Sequence, residues 1–269
     1  MLRKLMKYEF KATGRSLVPL YGALLIFAIL NHFIFNKINT SGIPDSFIGI
    51  ILFISVFAYG FIMAAVFVAT FFIIVQRFHK NLLGKEGYLM HTLPIKPYKN
   101  ILNKLFISII WTIISCFVAF LSICIIAFSR DSFSFFITNL FPALSEINQH
   151  YGFMPYVIGF ELVLTYLVSE FKLIIKLYAS MSIGHLFNSK KVFLSFVTFI
   201  GLSILENIAN TILANIFYTN SIINITSFSL SSLNFFSGVI ISSIIIQLIY
   251  FSIYFFITNY ILTNKLNLE

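Results

Sequence analysis

The chain has 269 residues, 59% of them hydrophobic and only 10% charged, with a mean hydropathy of +0.96. A soluble domain carries roughly a quarter charged residues, so this composition excludes one and implies a membrane protein. The net charge of +9 does not signal nucleic-acid binding, because the basic residues lie in short segments between apolar runs.

Residues 1–15, MLRKLMKYEFKATGR, open the chain. Leu2, Leu5, Met6, Phe10 and Thr13 follow helical spacing, with Lys4, Lys7, Lys11 and Arg15 on the other side. That pattern predicts an amphipathic helix in the membrane interface, its basic face toward anionic headgroups. The other reading is a frayed basic tail. A basic segment followed by an apolar run also describes a signal peptide. Here the basic region extends to Arg15 and the run ends in NHFIFNK without a small-residue cleavage site, so an uncleaved segment is expected.

Six apolar runs follow, each long enough for a hydrocarbon core of roughly 30 Å. They are Leu17–Phe35, Phe47–Val75, Ile101–Phe128, Tyr156–Ile183, Val192–Phe217 and Phe236–Leu262. The predicted fold is an all-α integral membrane protein of six transmembrane helices in a single domain, 1–269. The first loop carries Gly42 and Pro44. The third, Ser129–Pro155, has room for a small amphipathic helix near Phe133–Leu140, and the fifth, 218–235, has no charge and many Ser and Asn. Cys116 and Cys124 fall eight apart in one run. That is about 12 Å along a helix, too far for a disulfide.

Orientation follows from Lys and Arg. The N-terminal segment has five, the segment 76–104 six, Lys190 and Lys191 two, and Lys265 one; Lys37 and Arg130 stand alone on the other side. Fourteen against two places both termini and the 76–104 loop in the cytoplasm. The abundance of Ile, Phe, Asn and Lys suits an AT-rich bacterial genome, so a bacterial plasma membrane is expected.

Two polar stripes interrupt the spans. In the fourth, Glu161, Thr165, Ser169, Lys172 and Lys176 share one face and Glu170 points nearly opposite; in the fifth, Ser203, Glu206, Asn207 and Asn210 form another. A charge at a helix centre costs about 2.5–3.5 kcal/mol on insertion scales, so such residues face protein or water. They line a translocation route or a subunit seam, or they snorkel and pair within the bundle for packing alone.

Enzyme signatures are missing from the sequence. The five histidines are scattered, without metal-ligand spacing. There is no nucleophile elbow and no adjacent glutamate pair. Gly84-Lys85 is followed by Glu86 and lacks the upstream glycine of a phosphate-binding loop, so ATP cannot bind this chain by that route. Asn224-Ile-Thr226 matches a glycosylation sequon, which is expected to be chance in a bacterial protein.

The longest polar interruption, Gln76–Lys104, carries six basic residues and one acid, Glu86. Within it Lys85–Leu93 reads as a helix of barely two turns, stopped by Pro94 and Pro97. The block Gly84-Lys85-Glu86-Gly87-Tyr88-Leu89, then Thr92-Leu93-Pro94-Ile95, then Lys104-Leu105, resembles the cytoplasmic loop of ABC-2-type (type V) exporter permeases. Tyr88 stands where many of those permeases have threonine. The closest likeness is to small permeases of Gram-positive antimicrobial-peptide export and self-immunity.

This resemblance implies a coupling helix between spans two and three, with Glu86, Gly87, Tyr88, Leu89, Thr92 and Leu93 contacting a separate ATP-binding cassette subunit. It also implies a re-entrant hairpin within 218–235 and a second permease copy, identical or not. ATP and magnesium would sit on the partner, leaving this chain without a cofactor, metal or catalytic residue. The implied activity is export of an amphipathic or lipophilic substrate, such as an antimicrobial peptide, drug or lipid. The 34 phenylalanines would suit such a route, although lipid-facing and core packing account for most of them. The alternatives are an ion-gradient-driven transporter using Glu206 or Glu170, and a membrane enzyme acting on lipids.

Overall fold

A computed structural model of the chain describes residues 2–38, 45–84, 96–127, 130–187, 190–222 and 230–265. All the secondary structure among them is helical: α1 (Leu2–Ile38), α2 (Asp45–Phe78) running into a π turn (His79–Leu83), α3 (Pro97–Ala127), α4 (Arg130–Tyr151), α5 (Met154–Gly184), α6 (Lys191–Ile222) and α7 (Leu230–Asn264). Five helices are long and apolar enough to cross a membrane, over Leu5–Phe35, Gly49–Leu83, Pro97–Ala127, Lys191–Asn215 and Leu233–Asn264. This is the make-up of a multi-pass membrane protein. The fourth expected span, Tyr156–Ile183, forms as α5 but is not among the five; Glu161, Glu170, Lys172 and Lys176 all lie on it.

Three boundaries differ from the sequence reading. The expected interfacial helix and first span are one continuous helix, α1, with Pro19 inside it. The reason lies in its inner face, where Glu9, Thr13, Leu17, Tyr21, Leu24 and Ala28 are all buried at helical spacing across the expected break. The small helix expected near 133–140 is instead α4, 22 residues long. It stops at Gly152, whose φ of +62° is left-handed and whose N–H bonds Asn148 O at 2.9 Å, a glycine C-cap. The uncharged loop expected over 218–235 is helical at both ends, leaving only 223–229 outside the described residues. The sequence-predicted coupling segment, residues 85–95 with Glu86, Gly87, Tyr88, Leu89, Thr92 and Leu93, lies outside the described residues. No disulfide joins Cys116 and Cys124.

The helices group into two compact units, one comprising Met1–Arg77 with Phe106–Phe141, the other Phe78–Leu105 with Pro142–Glu269. In the first unit Leu17, Tyr21, Leu24, Val66, Ile107 and Trp111 form the core. Phe10 stacks on Trp111 with ring centroids 4.7 Å apart. The Tyr21 hydroxyl reaches Ser115 Oγ at 2.6 Å, and Ser115 Oγ in turn meets Thr70 Oγ1 at 3.0 Å. Tyr59 and Ser122 make a second hydroxyl pair at 2.7 Å. Hydroxyls paired between apolar helices satisfy groups that lipid cannot. Glu9, absent from the expected basic face, is buried 3.7 Å from Arg77. Along α2, Phe53, Phe57 and Phe61 recur every four residues at 71, 69 and 71% exposure. A stripe of rings that open suits lipid rather than water.

In the second unit α5 packs against both α6 and α7. Small residues bring α5 and α6 together: Ala179, Ser180, Ser182 and Gly184 are all buried. A Cβ on Gly184 would lie 2.6 Å from the Ser195 backbone nitrogen and 2.7 Å from its Cα, so only glycine allows this approach. Thr198 Oγ1 donates to Ser180 O at 3.0 Å, holding the same pair of helices.

Candidate functional site

The polar residues of α5 and α6 meet in one place. Lys172 and Lys176 stand four apart on α5 and so share a face. Lys172 Nζ donates to Oε1 of Glu206, and Lys176 Nζ donates to Oε2 at 3.0 Å. From α7, the Tyr254 hydroxyl donates to the same Oε2 at 3.4 Å. All three charged side chains are largely buried, at 17, 11 and 7% exposure for Lys172, Lys176 and Glu206. The Lys176 ammonium also lies 5.1 Å from the Phe199 ring centre. Glu206 occupies the middle of α6, with about 22 Å of helix before it and about 24 Å after it. Such a cluster at that depth joins three helices by charge-assisted hydrogen bonds, where a lone charge would be costly.

The other expected positions are dispersed. Glu161 lies about two turns inside α5, its Oε1 accepting from Ser237 Oγ at 2.7 Å. Its Oε2 is buried without a hydrogen-bond partner among the described residues. Ser203 turns back on its own helix and bonds Phe199 O at 2.8 Å. Asn207 is exposed, as is Asn210, whose Oδ1 accepts from the Tyr250 hydroxyl at 3.2 Å. The structure thus joins Lys172, Lys176 and Glu206 into one site and leaves Glu161, Ser203 and Asn207 outside it.

Beside the cluster lies a cavity of about 210 Å³, lined by Lys172, Asn210, Ser243, Gln247 and Tyr250 along with apolar side chains. The sequence reading passed over the α7 contribution. Ser243, Gln247, Tyr250, Tyr254 and Thr258 repeat at intervals of three and four within an otherwise apolar run, and that spacing carried the signal.

A second feature sits where α2 ends. Phe78, fully buried, stacks on Tyr178 of α5 with centroids 3.9 Å apart and an interplanar angle of 8°. The π turn follows at once, with Leu82 and Leu83 buried. π turns are rare and recur at functional positions. His79 meets His185 edge-on at 4.9 Å, and a ring nitrogen of His185 lies 3.0 Å from Met181 O.

Burial holds the His185 pKa below its ordinary value of 6.5, and the neighbouring His79 and Lys191 act in the same direction; the Met181 carbonyl opposes them. A histidine whose folded pKa is depressed contributes stability in full above the unfolded pKa, near 6.5, and loses it as pH falls toward the folded pKa. The thermal midpoint should therefore drop on acidification below about pH 6.5. In His185→Gln this part of the slope should vanish. An unchanged slope would assign the pH dependence to other groups.

Among the described residues no group of three or more His, Cys, Asp or Glu is placed to hold a metal ion. No family model, curated protein or solved structure matches the chain.

Proposed function

We propose that the chain is the permease subunit of an ATP-binding cassette exporter in a bacterial plasma membrane, with both termini cytoplasmic. In this reading α5 also crosses the membrane, as the fourth of six spans. Its 31 residues reach about 46 Å, and two of its charges, Lys172 and Lys176, are paired inside the bundle with Glu206. One observation carries the reading. The stem of the loop that resembles a coupling element is anchored through Phe78 to Tyr178, on the helix that holds Lys172 and Lys176. A push on that loop would reach the buried charge cluster through one rigid helix, whose differential contacts could bias two states.

A separate ATPase subunit would hold ATP and magnesium and dock on Glu86, Gly87, Tyr88, Leu89, Thr92 and Leu93. A second permease copy would complete the route for an amphipathic or lipophilic substrate. The ion-gradient alternative is not favoured at Glu206, where both oxygens are engaged and the neighbouring cavity is lined by Lys172 instead.

The test is affinity purification of the full chain from its host membrane, with co-purifying proteins identified by mass spectrometry. An ATP-binding cassette subunit should accompany the wild type. It should be lost from the Tyr88→Ala/Leu89→Ala variant, because aromatic anchors at interfaces commonly contribute about 2 kcal/mol or more. Absence of any such subunit from the wild type would overturn the reading.

A further inference from the structure

The charge cluster does not balance. Glu206 supplies one carboxylate against the ammonium groups of Lys172 and Lys176. No other acid occurs on α6 or α7. The remaining carboxylates of α5 are engaged or turned away: Glu161 bonds Ser237 eleven residues from Lys172, and Glu170 lies two positions from Lys172, on the opposite side of the helix. Among the described residues the site therefore carries one surplus positive charge near the middle of an apolar bundle, where an unbalanced charge is unfavourable.

The cavity supplies the place for a counter-charge. Lys172 forms part of its wall, and each lysine has three N–H donors of which Glu206 takes one. The other polar groups are well suited to an anion. Tyr250 donates to Asn210 Oδ1, leaving the Asn210 amide N–H₂ as donor. Gln247 Nε2 bonds Ser243 Oγ at 3.3 Å, while its Oε1 is buried without a hydrogen-bond partner among the described residues. A flip of that amide would turn its N–H₂ into the place of the unsatisfied oxygen. Asn210, at the rim, is exposed, so the cavity is reached from outside the bundle. Its volume of about 210 Å³ is several times the ~30 Å³ share of a water molecule, and its apolar wall includes Leu213.

We infer that this cavity binds a singly charged phosphate group, held by Lys172 and by the amide N–H₂ groups of Asn210 and Gln247, with the Tyr250 and Ser243 hydroxyls orienting those two amides. The phosphate is that of an anionic lipid headgroup or a free ion in solution. The inference does not rest on the ATP-driven reading, since it concerns binding to this chain alone.

Native mass spectrometry of the full chain in neutral detergent tests it, with phosphatidylglycerol, diacylglycerol (which lacks the phosphate) or inorganic phosphate added singly. The wild type should bind one phosphatidylglycerol about tenfold more tightly than diacylglycerol, the scale of one charge-assisted hydrogen bond. Lys172→Gln should abolish that preference. Glu206→Gln should enlarge it, because the Lys172 ammonium in the cavity wall is then no longer shared with a carboxylate. A purely structural cluster would not respond with opposite signs.

Competition by inorganic phosphate at similar concentration would support the site and identify a soluble ion as its source; failure to compete would identify the lipid. If Lys172→Gln does not fold, Gln247→Leu leaves the ion cluster intact and should reduce the preference several-fold. No preference in the wild type would overturn the inference. So would a preference unchanged in Lys172→Gln, or in Gln247→Leu where that variant stands in.

Discussion

Glu206→Gln should destabilise the detergent-solubilised protein by about 3–5 kcal/mol, the range for removing one partner from a buried ion pair. The carboxylate joins three helices: it accepts from Lys172 and Lys176 on α5 and from Tyr254 on α7, and it is only 7% exposed. A glutamine fills nearly the same volume, so packing survives and the loss reports the charge. Two ammonium groups then remain buried with no carboxylate beside them among the described residues. Lys172→Gln should cost less, since Lys176 and Tyr254 still hold Glu206.

The informative contrast is Lys172→Met/Lys176→Met/Glu206→Leu. Replacing a whole buried ionic group by apolar side chains is often neutral, or stabilising by about 1–4 kcal/mol. Recovery in the triple variant, measured as the thermal midpoint in neutral detergent, would show that the cluster is kept for something other than stability. If Glu206→Gln unfolds at the wild-type temperature, the carboxylate is not the junction of these helices.

How much of this was legible in the sequence depends on what each feature's signal was. Long apolar runs mark helices directly, and all six appear as helices. Where a run ends is less plain, because a helix stops at a cap or a breaker and not at a change of polarity. Nothing between Arg15 and Leu17 breaks α1, so polar and apolar segments share one helix.

The two polar stripes on α5 and α6 were visible by spacing, and their opposite charges hinted at a meeting. Their union at Glu206 needed the packing of α5 on α6, which no periodicity states. Tyr254 was overlooked because a tyrosine among phenylalanines reads as one more ring. Its hydroxyl matters only because Glu206 faces it. Phe78 was hidden for a related reason: its importance comes from Tyr178, a hundred residues away in sequence. The resemblance of the 84–95 segment concerns residues beyond the described ones, so the structure informs its stem and not the motif itself.

Phe78→Ala should be the other severe substitution, at about 3–5 kcal/mol for a fully buried phenylalanine. Its ring lies nearly parallel to that of Tyr178 and 3.9 Å away, and both rings are almost wholly buried. A double-mutant cycle with Tyr178→Ala should give a coupling of about 0.5–1.5 kcal/mol beyond the area lost. Additive effects would mean that each ring packs independently.

Function should separate the stem from the docking segment. In Phe78→Ala the residues Glu86 to Leu93 are intact, so an ATPase subunit that docks there should still co-purify. The link from the π turn to α5 would be weakened, and the rate of ATP turnover should no longer follow transport. Tyr88→Ala/Leu89→Ala should do the reverse and lose the subunit altogether. Phe78→Leu, which keeps apolar volume without the stacked ring, distinguishes uncoupling from collapse of the fold. Should Phe78→Ala fold, retain its partner and transport at the wild-type rate per ATP, the stem does not transmit the movement, and α5 must be reached by another contact.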